Sequence, residues 1–339
     1  MKKKILAALS IALILVCFAI MIYKKQQDAA YYDGYDASLP LNARVRSETV
    51  EPLYRVVDFV YDSLPGMHVP TLMAVPKDGE GPYPCIIFLH GIGQKKGALL
   101  DIAGPFTRGG FAMVCFDQYT RGERALSDAS TLQKAMGLRR RAALNVIDTR
   151  RLIDYLETRD DIDANRIYML GASFGAITGS TAAAFEPRIK AAVLTYGGGD
   201  IGKLLSSVSA REELGAWHGI VRMIAASYLA PADPIRHVAE ISPRPVLVQN
   251  GTDDRLIPLD AAHALFDAAR EPKEFVLYES DHIGLDVDQT MQVLEETVVW
   301  LTARDREVVS GMASGHSPGE PVPDLRAGAV AGVDRRPSS

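Results

Sequence analysis

A serine between two glycines constrains the fold of this chain more than any other feature of its sequence. The motif follows the apolar run 167–170 directly, precedes a helical pattern of small residues at 176–184, and reads Gly171-Ala172-Ser173-Phe174-Gly175. A serine at this spacing, on a sharp turn from strand to helix, is typical of a catalytic nucleophile. Side chains at the two glycine positions would collide with the neighbouring strand and helix. We therefore predict that Ser173 projects from the end of a strand as a nucleophile.

Short apolar runs alternate with helical patterns along the chain, and this alternation predicts an α/β fold. The six apolar runs occupy residues 85–89, 111–116, 167–170, 191–196, 245–249 and 274–278, and the clearest helical patterns occupy residues 139–158, 259–269 and 287–301. Continuous apolar runs of this length are typical of strands that are buried on both faces of a parallel sheet. We therefore predict a mostly parallel central sheet with flanking helices, whose functional residues lie at the carboxyl ends of the strands.

The main domain is predicted to span residues 49–302. Apolar runs at 55–61 and 69–75 flank the turn dipeptide Pro65-Gly66, which predicts an antiparallel hairpin at the edge of the sheet. The connection 197–242 is too long for a simple loop, so we predict a helical lid over the site. We expect the apolar side chains of the lid either to line the pocket or to pack on the core: Leu204, Leu205, Trp217, Ile220, Met223 and Ile224.

The N-terminal segment carries a targeting signal. Three lysines at 2–4 precede an apolar run at 5–23, whose 19 residues would span about 28 Å as a helix, close to the thickness of a bilayer. The run is longer than that of most signal peptides. It predicts an uncleaved transmembrane signal anchor at 1–23, with a cleaved signal peptide as the alternative. The lysine excess before the run favours a single-pass protein of the cell membrane whose catalytic domain is extracytoplasmic.

The regions next to the main domain lack a regular pattern. Residues 24–48 are polar and irregular, and they are predicted to form a juxtamembrane linker. Residues 303–339 are rich in glycine, proline, serine and arginine, which predicts a disordered tail.

Two residues are predicted to complete a Ser-His-Asp triad with Ser173. Asp253 and Asp254 both follow the run at 245–249, and the spacing to the preceding glycine and the following proline favours Asp254. His282 comes directly after the last run and before the final helical pattern, which suits a general base that an aspartate orients. The order serine, aspartate, histidine along the chain is that of α/β-hydrolases.

An oxyanion site is predicted beside the nucleophile. Two backbone N–H groups stabilise the negative charge that forms when an acyl carbonyl is attacked. One is expected from Phe174, the residue after the nucleophile. The second is expected from the loop His90-Gly91-Ile92-Gly93, from Ile92 or alternatively from Gly91. The His90 side chain is expected to have a structural role.

Composition excludes several other functions. The net charge of −5 and the absence of a basic block argue against nucleic-acid binding. The three cysteines include no Cys-x-x-Cys pair, so no structural zinc site is expected. No motif indicates a metal, nucleotide or flavin cofactor, and the expected partner is a small-molecule ester.

From about residue 56 to residue 301 the chain resembles the α/β-hydrolases. It is most similar to the branch that includes dienelactone hydrolases, acetyl-xylan-esterase-like esterases and prolyl-oligopeptidase-type catalytic domains. The matching segments are residues 90–93, 117–124, 171–175, 233–235 and 243–258, together with His282. The resemblance implies an α/β-hydrolase fold and a serine hydrolase that cleaves carboxylic esters through an acyl-enzyme. A serine peptidase or amidase is the closest alternative, followed by a non-catalytic binding protein on the same scaffold.

Overall fold

A nine-stranded sheet lies at the centre of the protein, and helices pack on both of its faces. The computed structural model describes residues 25–28, 30–126 and 130–314. The strands are β1 (Arg44–Val50), β2 (Tyr54–Leu64), β3 (Met67–Pro76), β4 (Tyr83–Leu89), β5 (Ala112–Phe116), β6 (Ile162–Ala172), β7 (Ile189–Thr195), β8 (Val246–Gly251) and β9 (Lys273–Tyr278). The α-helices are α1 (Ala98–Arg108), α2 (Thr131–Leu156), α3 (Phe174–Phe185), α4 (Ile201–Leu204), α5 (Val208–Leu214), α6 (His218–Leu229), α7 (Leu259–Ala268) and α8 (Val287–Ser314).

The sheet is antiparallel on one side and parallel on the other. Its strand order is β1-β2-β3-β5-β4-β6-β7-β8-β9, and every neighbouring pair from β5 to β9 is parallel. Side chains of β4 alternate between two cores. Ile87 and Leu89 pack in the core that includes residues of α2 and α3, whereas Ile86 and Phe88 pack in the core that includes residues of α1 and α8. The predicted α/β-hydrolase fold is confirmed.

The antiparallel part of the sheet extends further than the sequence indicated. The predicted hairpin forms as β2 and β3, but β1 pairs with the outer side of β2, so the hairpin is not at the edge. All seven side chains of β1 are exposed. Because neither face of this strand is buried, its sequence lacks the apolar pattern that marks the other strands.

The segment 24–48, predicted as a linker, folds against the domain in its described part. The Tyr32 ring is buried beside Phe185 and His237, and the Arg150 guanidinium lies over the Tyr35 ring at 3.5 Å. Strand β1 also begins inside this segment. At the other end of the chain, α8 continues to Ser314, beyond the predicted start of the tail at residue 303.

The prediction of a membrane anchor requires correction. Among the residues that the structure describes, no helix is both long enough and apolar enough to cross a membrane. The two longest helices, α2 and α8, carry charged residues along their length. The run at 5–23, on which the prediction depended, lies outside the described residues. A single-pass membrane protein with an extracytoplasmic catalytic domain is therefore not supported.

Candidate active site

Ser173 lies on a strained turn between β6 and α3. Its backbone has a φ of 56° and a ψ of −121°, a conformation that residues other than glycine rarely adopt. The turn can be tight because the residues two positions before and after Ser173 are glycines. A Cβ atom at Gly175 would lie 1.8 Å from the Leu89 carbonyl oxygen, and a Cβ atom at Gly171 would lie 2.4 Å from the Gly175 oxygen. The glycines thus allow α3 to start directly against the sheet.

The three residues predicted for the triad meet at the carboxyl ends of three different strands. The His282 Nε2 atom lies 2.9 Å from the Ser173 hydroxyl oxygen, and its Nδ1 atom lies 2.7 Å from an oxygen of Asp254. Ser173 follows β6, Asp254 follows β8 and His282 follows β9. Hydrogen bonds of this length join a nucleophile, a base and the group that orients the base.

The two candidate acids differ in their contacts. The Asp254 carboxylate is fully buried, and its second oxygen accepts backbone N–H groups of Leu256 and Ile257, each at 2.8 Å. These bonds satisfy a charge that would otherwise be costly to bury. Asp253 is exposed, and its carboxylate accepts a hydrogen bond from the Thr252 hydroxyl instead. The structure therefore brings Asp254, and not Asp253, to the histidine.

The predicted oxyanion donors have unpaired amides. Within the described residues, the backbone N–H groups of Ile92 and Phe174 have no hydrogen-bond partner. The Gly91 N–H group, the alternative to Ile92, donates to the Gln94 side-chain oxygen at 3.0 Å. The Phe174 amide is at the start of α3, where backbone N–H groups lack helical acceptors and favour an anion. Ile92 and Phe174 therefore remain the available pair.

His90 fixes the peptide that carries the Ile92 amide. Burial lowers the pKa of His90 to about 4, so the ring is neutral near pH 7. Its Nδ1 atom lies 2.8 Å from the Gly91 carbonyl oxygen, which identifies Nδ1 as the protonated nitrogen because a carbonyl only accepts. The Gly91 oxygen and the Ile92 N–H group belong to the same planar peptide unit. Holding the oxygen therefore sets the direction of the N–H group.

Two further residues support the His282 loop, and the sequence analysis did not identify them. An oxygen of Asp281 accepts hydrogen bonds from the backbone N–H groups of Arg255 and His282. Asp281 therefore links the loop that carries Asp254 to the loop that carries His282. These amides lower the pKa of the Asp281 carboxyl. The Tyr196 ring packs edge-on against the His282 ring, with 5.8 Å between centroids. The position of Asp281, directly before the predicted base, was the available signal.

An apolar cavity opens beside Ser173. Its volume is about 260 Å³. Its apolar wall comes from strands, helices and loops of the domain: Phe88, Ile102, Leu170, Leu256, Ile283 and Leu294. No lysine, arginine, aspartate or glutamate of the described chain lines it. The cavity thus suits an uncharged, mainly hydrocarbon group.

The predicted lid region is helical but does not line this cavity. It contains α4, α5 and α6, and the large side chains of α6 and the turn before it are exposed, including Trp217 at 69% and Met223 at 68%. One contact links this region to the neighbourhood of the cavity. The Ser209 backbone N–H group of α5 donates to the carbonyl oxygen of Arg255, and the next residue, Leu256, lines the cavity. The predicted lid region therefore contacts, through α5, the residue next to Leu256 of the cavity wall, and none of its own side chains lines the cavity.

Comparison with known proteins identifies the family. The model of the dienelactone hydrolase family matches residues 69–283, which is more than half of the chain and runs from within β3 to just past His282. The chain belongs to the dienelactone hydrolase family. This family member is accordingly a hydrolase, as the resemblance of its motifs implied.

Relatives of this dienelactone hydrolase family member are distant in sequence. The uncharacterized protein YfhR of Salmonella typhi is 27% identical over 288 residues, which cover 83% of this chain and 89% of the relative. Esterase YjfP of Escherichia coli (strain K12) is 25% identical over 206 residues, which cover 60% of this chain and 82% of the relative. Among solved structures, acetyl xylan esterase 1 from Thermoanaerobacterium sp. JW/SL YS485 superposes with a TM-score of 0.63 and 20% identity, covering 80% of this chain and 93% of that one. That likeness shows a shared fold.

Proposed function

We propose that the protein is a serine hydrolase that cleaves carboxylic esters through an acyl-enzyme. The observation that carries the proposal is the chain of two hydrogen bonds from Ser173 through His282 to Asp254, at 2.9 and 2.7 Å. A buried carboxylate against Nδ1 leaves Nε2 free to accept the serine proton, as general-base catalysis requires.

The reaction has two steps. Ser173 Oγ attacks the ester carbonyl carbon while His282 Nε2 takes its proton, and the carbonyl oxygen becomes an oxyanion that the amides of Ile92 and Phe174 stabilise. Collapse of this intermediate breaks the bond to the alcohol, which leaves with the proton from His282. Water then attacks the acyl-enzyme in the same way, releases the carboxylic acid and restores Ser173. Each oxyanion donor is expected to contribute about 10²- to 10³-fold in rate.

The cavity supports an ester with a short or medium acyl chain. Its wall is apolar and its volume of about 260 Å³ is below the usual range for drug-sized ligands. An uncharged hydrocarbon chain fits such a wall, because charged groups would have to lose their hydration without a partner. The relative YjfP is an esterase and the structural neighbour from Thermoanaerobacterium is an acetyl xylan esterase, which agrees with this substrate class.

A single substitution in the cavity is expected to lengthen the preferred acyl chain. Leu294 is 6% exposed and lines the cavity, so Leu294→Ala makes room for up to about three more carbons, each worth about 0.8 kcal/mol when buried. We expect the ratio of kcat/KM for p-nitrophenyl octanoate to that for p-nitrophenyl butyrate to rise by about tenfold or more. Val299→Ala, an exposed position on the same helix, is the control. An unchanged ratio would show that the acyl chain lies elsewhere.

Labelling with a fluorophosphonate tests the proposed function directly. This reagent forms a covalent adduct with activated serines, so the wild-type protein is expected to be labelled and Ser173→Ala is not. Ser310→Ala serves as the control, because Ser310 is an exposed serine of α8 whose hydroxyl donates to the Arg306 carbonyl oxygen of the same helix. Labelling that survives in Ser173→Ala, or that is missing from the wild type, would contradict the proposal.

A further inference from the structure

Arg141 is a buried cation next to the predicted oxyanion donors. It lies on α2 and is 1% exposed. One of its terminal nitrogens donates to the Ile92 carbonyl oxygen at 3.0 Å, and its guanidinium lies over the Phe174 ring at 4.6 Å. A single side chain thus touches both residues that are predicted as oxyanion donors.

The partners of Arg141 are all neutral. Its Nε and second terminal nitrogen both donate to the Gln118 side-chain oxygen, at 2.8 and 2.5 Å, and Gln118 is itself completely buried. In the described part of the chain, Arg141 forms no ion pair with a carboxylate. Burial and the neighbouring Arg121 charge lower the pKa of Arg141 to about 9, so the guanidinium remains charged at neutral pH. Burying a charge without a counter-charge is costly, and a purely structural role would be filled more cheaply by an apolar side chain.

Arg141 contacts the loop 90–93, called the oxyanion loop below, at two places: directly at Ile92, and through Gln118 at His90. Gln118 shares its oxygen with Arg141 and donates from its amide nitrogen to the His90 carbonyl oxygen at 2.8 Å. His90 is the residue that fixes the Gly91 carbonyl, and Arg141 fixes the Ile92 carbonyl directly. The peptide that carries the Ile92 N–H group is therefore held from both sides, because the His90 carbonyl before it and the Ile92 carbonyl after it each accept a side-chain hydrogen bond.

The stacking of Arg141 on the Phe174 ring restrains the second predicted donor in a similar way. Stacking of a guanidinium on an aromatic face favours one position of the ring and of the backbone that carries it. The Phe174 backbone N–H group is the second donor, and its helix, α3, packs against α2 through a hydrogen bond from Asn145 to Thr178 at 3.0 Å. Arg141, on α2, therefore contacts both the loop that carries Ile92 and the helix that carries Phe174.

We propose that Arg141 is a positioning residue, which holds the backbone amides of Ile92 and Phe174 in the geometry that stabilises a developing oxyanion. The inference rests on the function proposed above. The guanidinium does not contact the substrate in this proposal. Its planar group of N–H donors and its stacking face instead hold the segments of Ile92 and Phe174 in place relative to each other. Lysine, with a single nitrogen and no planar face, would not replace it.

Kinetics of two Arg141 variants test the inference. Arg141→Met and Arg141→Lys are each expected to lower kcat for p-nitrophenyl butyrate by about ten- to a hundredfold, because misplaced amides lose stabilisation of the transition state alone. KM is expected to stay within about threefold. The inhibition constant of an alkyl trifluoromethyl ketone, which binds as an anionic adduct on the serine, is expected to rise by the same factor as kcat falls. Arg140→Met is the control, since Arg140 is exposed on the same helix and stacks on Tyr119.

The outcomes separate this inference from the proposed function. A wild-type protein without fluorophosphonate labelling would contradict the function itself. If the wild type is labelled but folded Arg141 variants keep kcat and ketone affinity within threefold, the positioning role is wrong and only a packing role remains. Should Arg141→Met fail to fold, Arg141→Lys and Gln118→Met are judged by the same two quantities, each measured below the variant's melting temperature.

Discussion

Replacing Asp254 with asparagine is expected to lower kcat/KM for ester hydrolysis by about 10⁴-fold while leaving the fold intact. The asparagine oxygen still accepts the amides of Leu256 and Ile257, which hold the loop. Its NH₂ group then faces His282 Nδ1 and favours the tautomer that carries the proton on Nε2. That tautomer has no lone pair for the Ser173 proton. Steady-state kinetics with a p-nitrophenyl ester, together with circular dichroism, would measure the effect.

The adjacent aspartate provides a matched control. Asp253→Asn makes the same chemical change one residue away, at an exposed carboxylate that accepts a hydrogen bond from Thr252. Its kcat/KM is expected to stay within about twofold of wild type, as for surface substitutions away from a site. Equal losses in the two variants, or a larger loss for Asp253→Asn, would mean that Asp254 is not the acid of the triad.

Gly175→Ala is expected to have the largest effect on stability. Its Cβ atom would lie 1.8 Å from the Leu89 carbonyl oxygen and 2.4 Å from the Leu89 carbonyl carbon, both backbone atoms of β4. Helix α3 would have to move away from the sheet, and we expect a loss of more than about 4 kcal/mol in the free energy of unfolding. Such a loss approaches the total stability of many domains. Soluble yield and the midpoint of urea unfolding are the measurements.

A second glycine tests whether the effect comes from the contact. Gly219 lies near the start of α6, and a Cβ atom there would meet nothing within 4 Å. Gly219→Ala is expected to raise the free energy of unfolding by about 0.5–1 kcal/mol, because alanine loses less backbone entropy than glycine in a helix. A Gly175→Ala protein that unfolds at the wild-type midpoint would refute the tight approach of α3 to β4.

The sequence allowed prediction of features that depend on local pattern. Strands β4, β5, β7 and β8 of the parallel sheet appear as continuous apolar runs because they are buried on both faces. Each polar residue predicted for the site follows an apolar run within five residues, so the fold brings Ser173, Asp254 and His282 to the same edge. The choice between two adjacent aspartates depended on spacing alone, and only the structure shows which carboxylate reaches the histidine.

Features that depend on contacts between distant segments were not predictable. Strand β1 has no buried face and therefore no apolar signal. Helix α2 begins at Thr131, eight residues before the predicted start, and its capping box of Ser130 and Gln133 was the overlooked signal. The roles of Arg141 and Gln118 arise because α2 and the segment after β5 meet behind the oxyanion loop. No spacing along the chain reports such a meeting.

The packing of the segment before β1 against the domain has a practical consequence for protein production. The Tyr32 ring packs against Phe185 and His237, and its hydroxyl donates to the Pro231 carbonyl oxygen in the predicted lid region. Arg139 of α2 bonds both Asp28 and the Tyr228 carbonyl oxygen. Expression of a shortened gene that starts at residue 49, the predicted start of the main domain, would remove Asp28 and Tyr32 and expose the side chains that they contact to water. A gene that starts before Asp28 keeps the contacts of both Asp28 and Tyr32.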